Sequence, residues 1–139
     1  MWVKMLTYET TCRVIYGDTD SMGIAYYANY LRWFEMGRTE LFRSLGVAYR
    51  KIEEGGVALP VSEVFCKFHN PLQYDDILVI ETSLDTKLRA GMKFDYRLLY
   101  EDRETIAAAG YTKHAFLDGN GRVVRPPAYL RKIIAERAG

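Results

Sequence analysis

From residue 7 to residue 16 the chain alternates. Tyr8, Thr10, Cys12, Val14 and Tyr16 fall on one face, and Glu9, Thr11 and Arg13 on the other. A period of two in β-branched and aromatic residues predicts a strand. Gly17 and Gly23 then bracket a loop carrying Asp18 and Asp20. From about Tyr27 to Leu45 the period becomes 3.6, with Tyr27, Tyr30, Leu31, Phe34, Leu41 and Leu45 on one side and Arg32, Thr39, Glu40 and Arg43 opposite. This predicts an amphipathic helix about 27 Å long, stopped by Gly46. Gly37 interrupts its apolar face, where Ala would favour the helix by ~1 kcal/mol. Close approach of the helix to a sheet explains such a glycine.

After Gly55-Gly56 the pattern is mostly β, with runs near 58–68, 76–85, 92–100 and 105–117. Phe94, Tyr96, Leu98 and Tyr100 alternate with Lys93, Asp95 and Arg97. Turn signals at Asn70-Pro71, at 101–104 and at 118–121 separate the runs. A short strand at Arg122 to Val124 is expected, and Pro126-Pro127 leads into a terminal helix over Ala128 to Glu136. One strand, one long helix and then consecutive strands on tight turns predict an α+β fold with an antiparallel sheet. One helix cannot cover both faces of such a sheet. Its exposed edges predict a homo-oligomer, a dimer or tetramer.

The 139 residues are expected to form a single domain, 1–139. A composition of 49% hydrophobic and 27% charged residues fits a globular chain. The net charge of +1 gives no field that would gather nucleic acid. Cys12 and Cys66 set no disulfide or zinc framework. No apolar run reaches the ~18 residues of a membrane span, and the N-terminus is too short and mixed for a signal peptide, so no membrane insertion and a cytoplasmic location are expected.

Candidate chemistry centres on Asp20. A helix start offers unpaired N–H groups and about half a positive charge, where an acyl oxygen can dock. A nearby carboxylate could attack that carbonyl or activate water. Turn or cap formation is the competing role for both aspartates, and Asn29 reads as a helix cap. Glu35 reads as an i,i+3 partner of Arg38. His69 and His114 lack paired metal-ligand spacing, so no metal is expected. No nucleophile elbow, P-loop or dinucleotide motif is present. Lys87, Arg89 and Lys93 cluster between two strand runs, either as a solvated hairpin end or as a phosphate landing site.

The stretch from Gly17 to Glu35, Gly-Asp-Thr-Asp-Ser-Met-Gly-Ile-Ala-Tyr-Tyr-Ala-Asn-Tyr-Leu-Arg-Trp-Phe-Glu, resembles the active-site signature of the 4-hydroxybenzoyl-CoA thioesterase family. That family of hotdog-fold acyl-CoA thioesterases includes short bacterial enzymes associated with the Tol-Pal system. Tyr74-Asp75-Asp76-Ile77-Leu78 resembles the family's turn into its third strand. The resemblance implies one long central helix wrapped by a curved antiparallel sheet of five or six strands, assembled as dimers or homotetramers. It implies metal-free hydrolysis of an acyl-CoA, with CoA as part of the substrate and no separate cofactor. Asp20 then corresponds to the catalytic carboxylate and Tyr27 to the residue whose N–H holds the carbonyl oxygen. Arg89, with Lys87 and Lys93, corresponds to the contacts with CoA phosphates. Short-chain relatives carry His where this chain has Tyr27, whereas the hydroxybenzoyl branch carries an aromatic residue there. Leu88 and Ala90 stand where relatives have further basic residues. The resemblance leaves two other readings: a thioesterase acting on acyl groups of acyl carrier protein, and a non-catalytic module that binds an acyl-CoA.

Overall fold

The computed structural model describes residues 5–88 and 90–139. Its order is β1 (Met5–Arg13), a 3-10 turn (Tyr16–Asp18), α1 (Asn29–Ser44), α2 (Tyr49–Glu54), β2 (Val61–Phe68), β3 (Ile77–Asp85), β4 (Gly91–Tyr100), β5 (Ile106–Ala115) and α3 (Ala128–Ala138). The five strands form one antiparallel sheet in the order β1-β3-β4-β5-β2. β1 and β2 are therefore its edges.

The alternation in β4 holds from Met92 through Phe94 and Tyr96 to Leu98, all buried, and breaks at a register shift between Leu98 and Leu99, where Leu99 is buried as well and Tyr100 only partly. β1 is shorter at its end than its pattern suggested. The ladder stops at Arg13, and Tyr16 lies in the following turn, 78% exposed. The expected strand at Arg122 to Val124 is reduced to a single bridge between Leu117 and Val123. α2 was not foreseen, because only Ile52 of its six residues is buried and no full amphipathic period develops.

α1 lies across the inner face of the sheet. Its buried residues are Tyr30, Trp33, Phe34, Gly37, Leu41 and Phe42, while Leu31 is 45% exposed. The buried face is thus rotated from the predicted one, toward the larger rings. Phe34 stacks on Tyr96 of β4 with 4.2 Å between centroids and 6° between planes. Gly37 fulfils its expectation. A Cβ there would meet Thr82 Oγ1 and lie 2.7 Å from Ile80 Cγ2, so the helix backbone rests directly on side chains of β3. The Glu35–Arg38 pair does not form: Arg38 reaches 3.4 Å to the Tyr96 hydroxyl, and Glu35 is exposed.

Beneath this helix lies a buried polar chain. His114 contacts the Leu59 carbonyl through Nδ1 (3.0 Å) and Thr112 Oγ1 through Nε2 (2.8 Å). Thr112 Oγ1 also contacts the Tyr96 hydroxyl at 2.6 Å. Burial pushes the His114 pKa below its ordinary value, against the opposite pull of the Leu59 carbonyl, and Arg38 adds to the depression. A depressed histidine favours the fold fully above its unfolded pKa, and the contribution is lost as pH falls through the folded value. Urea midpoints should therefore drop below about pH 6.5 more steeply in the wild type than in His114→Gln. Parallel curves for the two proteins would remove His114 from the acid sensitivity.

Candidate active site

The stretch between β1 and α1 is a small hairpin with its own hydrogen bonds. Asp18, 5% exposed, is consumed by structure. Its carboxylate accepts the Ile15 N–H at 2.9 Å and Arg32 Nη2 at 2.5 Å. Its carbonyl accepts the Tyr26 N–H and Asn29 Nδ2, each at 2.8 Å. Asn29 thus ties the helix start to the loop instead of capping it, and Ala28 occupies the cap position.

Asp20 is arranged differently. Its N–H donates to the Ile24 carbonyl at 2.9 Å, and its carbonyl accepts from Gly23, which holds φ at +80°. Glycine adopts that left-handed conformation without steric cost. Asp20 Oδ1 accepts the Met22 N–H at 2.8 Å. Oδ2 has no hydrogen-bond partner among the described residues, and the residue is half-buried. The carboxylate is steadied by one oxygen and open at the other.

The helix start completes the geometry. The Asn29 and Tyr30 N–H groups close turns onto the Tyr26 and Tyr27 carbonyls, at 3.0 and 3.2 Å. The N–H groups of Tyr27 and Ala28 donate to no acceptor among the described residues. The Tyr27 ring is 63% exposed and leans on Tyr26 at 4.6 Å. The neighbouring Tyr27 phenol raises the Tyr26 pKa.

Asp20 and Tyr27 line one cavity of about 310 Å³, walled by Tyr30, Phe68, His69 and Pro71. Tyr30 and Phe68 meet edge to face at 4.8 Å. The sequence pointed to Asp20 and Tyr27 and missed the opposite wall, because residues 68–71 read only as a strand end and a turn. No local signal marks that wall. It arrives through the Ala25 N–H to Leu72 carbonyl bond (2.7 Å) and the Ile24–Gln73 bridge.

The basic cluster lies elsewhere. Lys87 and Lys93 line a second cavity of about 530 Å³ together with Lys113, which the β4–β5 register sets opposite Lys93. Arg89 lies outside the described residues. Arg13 pairs with Ile77 at the loop end of β3 and Met5 with Asp85 at the other. Within one chain, the length of β3 separates the lysines from the Asp20 loop, roughly 26 Å at ~3.3 Å per residue. Lys93 is 3.6 Å from Asp95, and its ammonium lies 5.0 Å from the Tyr111 ring centre. A third cavity, at Arg13, Asp75, Asp76 and Asp102, is a knot of turn bonds. Among the described residues no group of three or more acidic, histidine or cysteine side chains is placed to hold a metal. No helix among them is long and apolar enough to cross a membrane.

Comparison with known proteins decides the family. The family model described as the thioesterase-like superfamily matches residues 14–134. The chain belongs to this superfamily. Its relatives include proteins named acyl-CoA thioesterase and acyl-CoA thioester hydrolase, and this chain is a thioester hydrolase. Acyl-CoA thioesterase YbgC of Haemophilus influenzae is 35% identical over 88% of this chain and 88% of its own. A crystal structure of a hypothetical protein from Aquifex aeolicus superposes with a TM-score of 0.85, at 31% identity, covering 91% of this chain and 98% of that one. A gentisyl-coenzyme A thioesterase superposes with a TM-score of 0.80, at 25% identity, covering 89% and 99%. The fold of this thioesterase is accordingly the hotdog fold, with α1 as its central helix. The family match spans the Asp20 hairpin, the helix start and both cavity walls.

Proposed function

We propose that this thioesterase hydrolyses acyl-CoA thioesters, with the acyl group in the Asp20 cavity. The observation that carries the reading is that Asp20, with one carboxylate oxygen open, and Tyr27, with an uncommitted N–H, line the same cavity. The thioester carbonyl oxygen accepts from the Tyr27 N–H, which with the helix start favours the negative charge that grows as the carbonyl is attacked. The Asp20 carboxylate then either attacks the carbonyl carbon or takes a proton from attacking water. The names of YbgC and of the gentisyl-coenzyme A thioesterase support CoA as the carrier. The rings of Tyr30 and Phe68 suit an aromatic or otherwise compact acyl group.

The distant lysines fit this reading if the active unit is a dimer paired through β2. This edge strand exposes Val61, Val64, Phe65 and Phe68, each between 44% and 51%. Unpaired N–H and C=O groups with apolar side chains favour a second copy there. Antiparallel pairing of two β2 strands sets the Phe68 end of one beside the Val61 end of the other. Ser62 lies on the lysine cavity. The Asp20 cavity of one chain therefore faces the Lys93 and Lys113 of the partner subunit, which hold the CoA phosphates.

Complementation tests both parts. Asp20→Asn subunits and Lys93→Glu/Lys113→Glu subunits are each expected to be impaired. The second type should show a raised KM for acyl-CoA and an unchanged KM for the matched acyl-pantetheine, which lacks the nucleotide phosphates. Mixing the two under subunit exchange should regenerate activity, because each hybrid contains one intact site. An absence of recovery in exchanged hybrids contradicts the shared site. Equal turnover of matched CoA and carrier-protein thioesters contradicts the preference for CoA.

A further inference from the structure

We infer that His69 is the base of the hydrolytic half-reaction, taking the proton from the water that releases the acyl group. The inference rests on the reading of the Asp20 cavity given above.

The chain has two histidines in opposite circumstances. His114 is buried with both ring nitrogens engaged, by Leu59 and Thr112. His69 is exposed and lines the Asp20 cavity. Its imidazole has no hydrogen-bond partner among the described residues, while the backbone N–H of His69 donates to the Ala107 carbonyl at 2.8 Å.

The segment that carries His69 is fixed. The Asn70 N–H also donates to the Ala107 carbonyl, and Asn70 Nδ2 donates to the Ile106 carbonyl at 2.8 Å. The Tyr100 hydroxyl donates to the Pro71 carbonyl. The next residue, Leu72, accepts the Ala25 N–H of the Asp20 hairpin at 2.7 Å. The backbone beneath His69 is thus tied to β5 on one side and to the loop of Asp20 on the other. The titratable groups that share the cavity with it are Asp20, Tyr27 and Tyr30. Burial raises the pKa of the Tyr30 phenol, which therefore stays neutral.

An imidazole at this place has a specific use. In the first half-reaction a carboxylate oxygen of Asp20 bonds to the acyl carbon. The C–S bond breaks, and its electron pair leaves on sulfur as the CoA thiolate. Asp20 is now an acyl anhydride and cannot serve as its own base. In the second half-reaction the water oxygen bonds to the acyl carbon while His69 takes a water proton. The bond from the acyl carbon to the Asp20 oxygen breaks and restores the carboxylate. The imidazolium then gives its proton to the thiolate, and the free acid ionises into solvent. The sum is thioester plus water to acid plus thiol. A neutral imidazole is the side chain best matched to this transfer near neutral pH.

The test uses His69→Gln and His69→Ala on the acyl-CoA that the wild type turns over best. His69→Gln should release a burst of about one thiol per site and then turn over roughly 10²-fold more slowly than the wild type, the scale for losing a positioned base. The wild-type kcat should fall toward acid pH more steeply than that of His69→Gln. Added imidazole should restore turnover to His69→Ala. A His69→Gln enzyme with wild-type kcat and pH profile overturns the inference, as does a slowed one with no burst and no imidazole rescue of His69→Ala. A wild type that hydrolyses no acyl-CoA would instead sink the functional reading on which the inference rests.

Discussion

An Asp20→Asn variant is expected to fold and assemble like the wild type and to lose thioester hydrolysis by roughly 10²–10⁴-fold, the range for removing a positioned acid–base group. The structural side of this expectation follows from how little of the fold Asp20 supports. Its single side-chain bond is the Met22 N–H to Oδ1, which an Asn carbonyl oxygen still accepts. Its backbone bonds to Ile24 and Gly23 do not depend on the side chain. The chemical side follows from charge. An amide cannot attack a thioester at a useful rate or take a proton from water, whichever route operates. Asp18→Asn provides the contrast. It weakens the contact of a buried carboxylate with the half-exposed Arg32 and its bond from the Ile15 N–H, so it should lower the thermal midpoint, whereas Asp20→Asn should not. Circular dichroism melts and thiol release on the two variants separate these outcomes. An Asp18→Asn protein that melts like the wild type while Asp20→Asn melts early would reverse the assignment of roles.

The second large effect concerns Gly37. A Gly37→Val variant should lose about 3 kcal/mol of stability, at the upper end of overpacking costs. The first added carbon already collides with Thr82 Oγ1 and Ile80 Cγ2 on β3, and both belong to stiff β-branched side chains. Two further methyls force α1 away from the sheet. The helix propensity gained over glycine is smaller than this cost. The thermal midpoint should fall by roughly 10 °C for a chain of this size. Activity measured well below the midpoint should fall too, because moving α1 displaces the Tyr27 N–H from the Asp20 hairpin. Chemical denaturation and kcat/KM on the same preparation check both effects. A Gly37→Val protein as stable as the wild type would mean that the close approach of α1 to β3 is not required.

The part of the fold legible in the sequence was the part written in local periods. β4 alternates because one face meets α1 and the other does not, and Gly37 stood out because nothing else explained a glycine within an apolar face. α1 itself was legible, but its rotation was not. Leu31 and Tyr27 are exposed, while Trp33 and Phe42 take the interior, where Trp33 meets Tyr30 edge to face and Phe42 packs on Phe94. Among the site residues, Asp20 and Tyr27 were visible because they belong to one continuous stretch. Phe68, His69 and Pro71 were not, since they join the cavity through bonds between residues far apart in the chain. Lys113 was missed for the same reason: only the β4–β5 register sets it opposite Lys93. Asp18 and Asp20 look equivalent in sequence, and what separates them is that Arg32 and Ile15 claim one and leave the other open.

The central claim is that the Asp20 cavity turns acyl-CoA over instead of only holding it. Thiol release by the wild-type protein across a panel of aromatic, short-chain and long-chain acyl-CoA thioesters, measured beside binding of the same compounds, tests it most directly. The expected result is continuous release of free CoA from at least one compact acyl-CoA, with many turnovers per chain. Tight binding of the panel without thiol release from any member would contradict it, and would make the cavity a binding site for CoA esters.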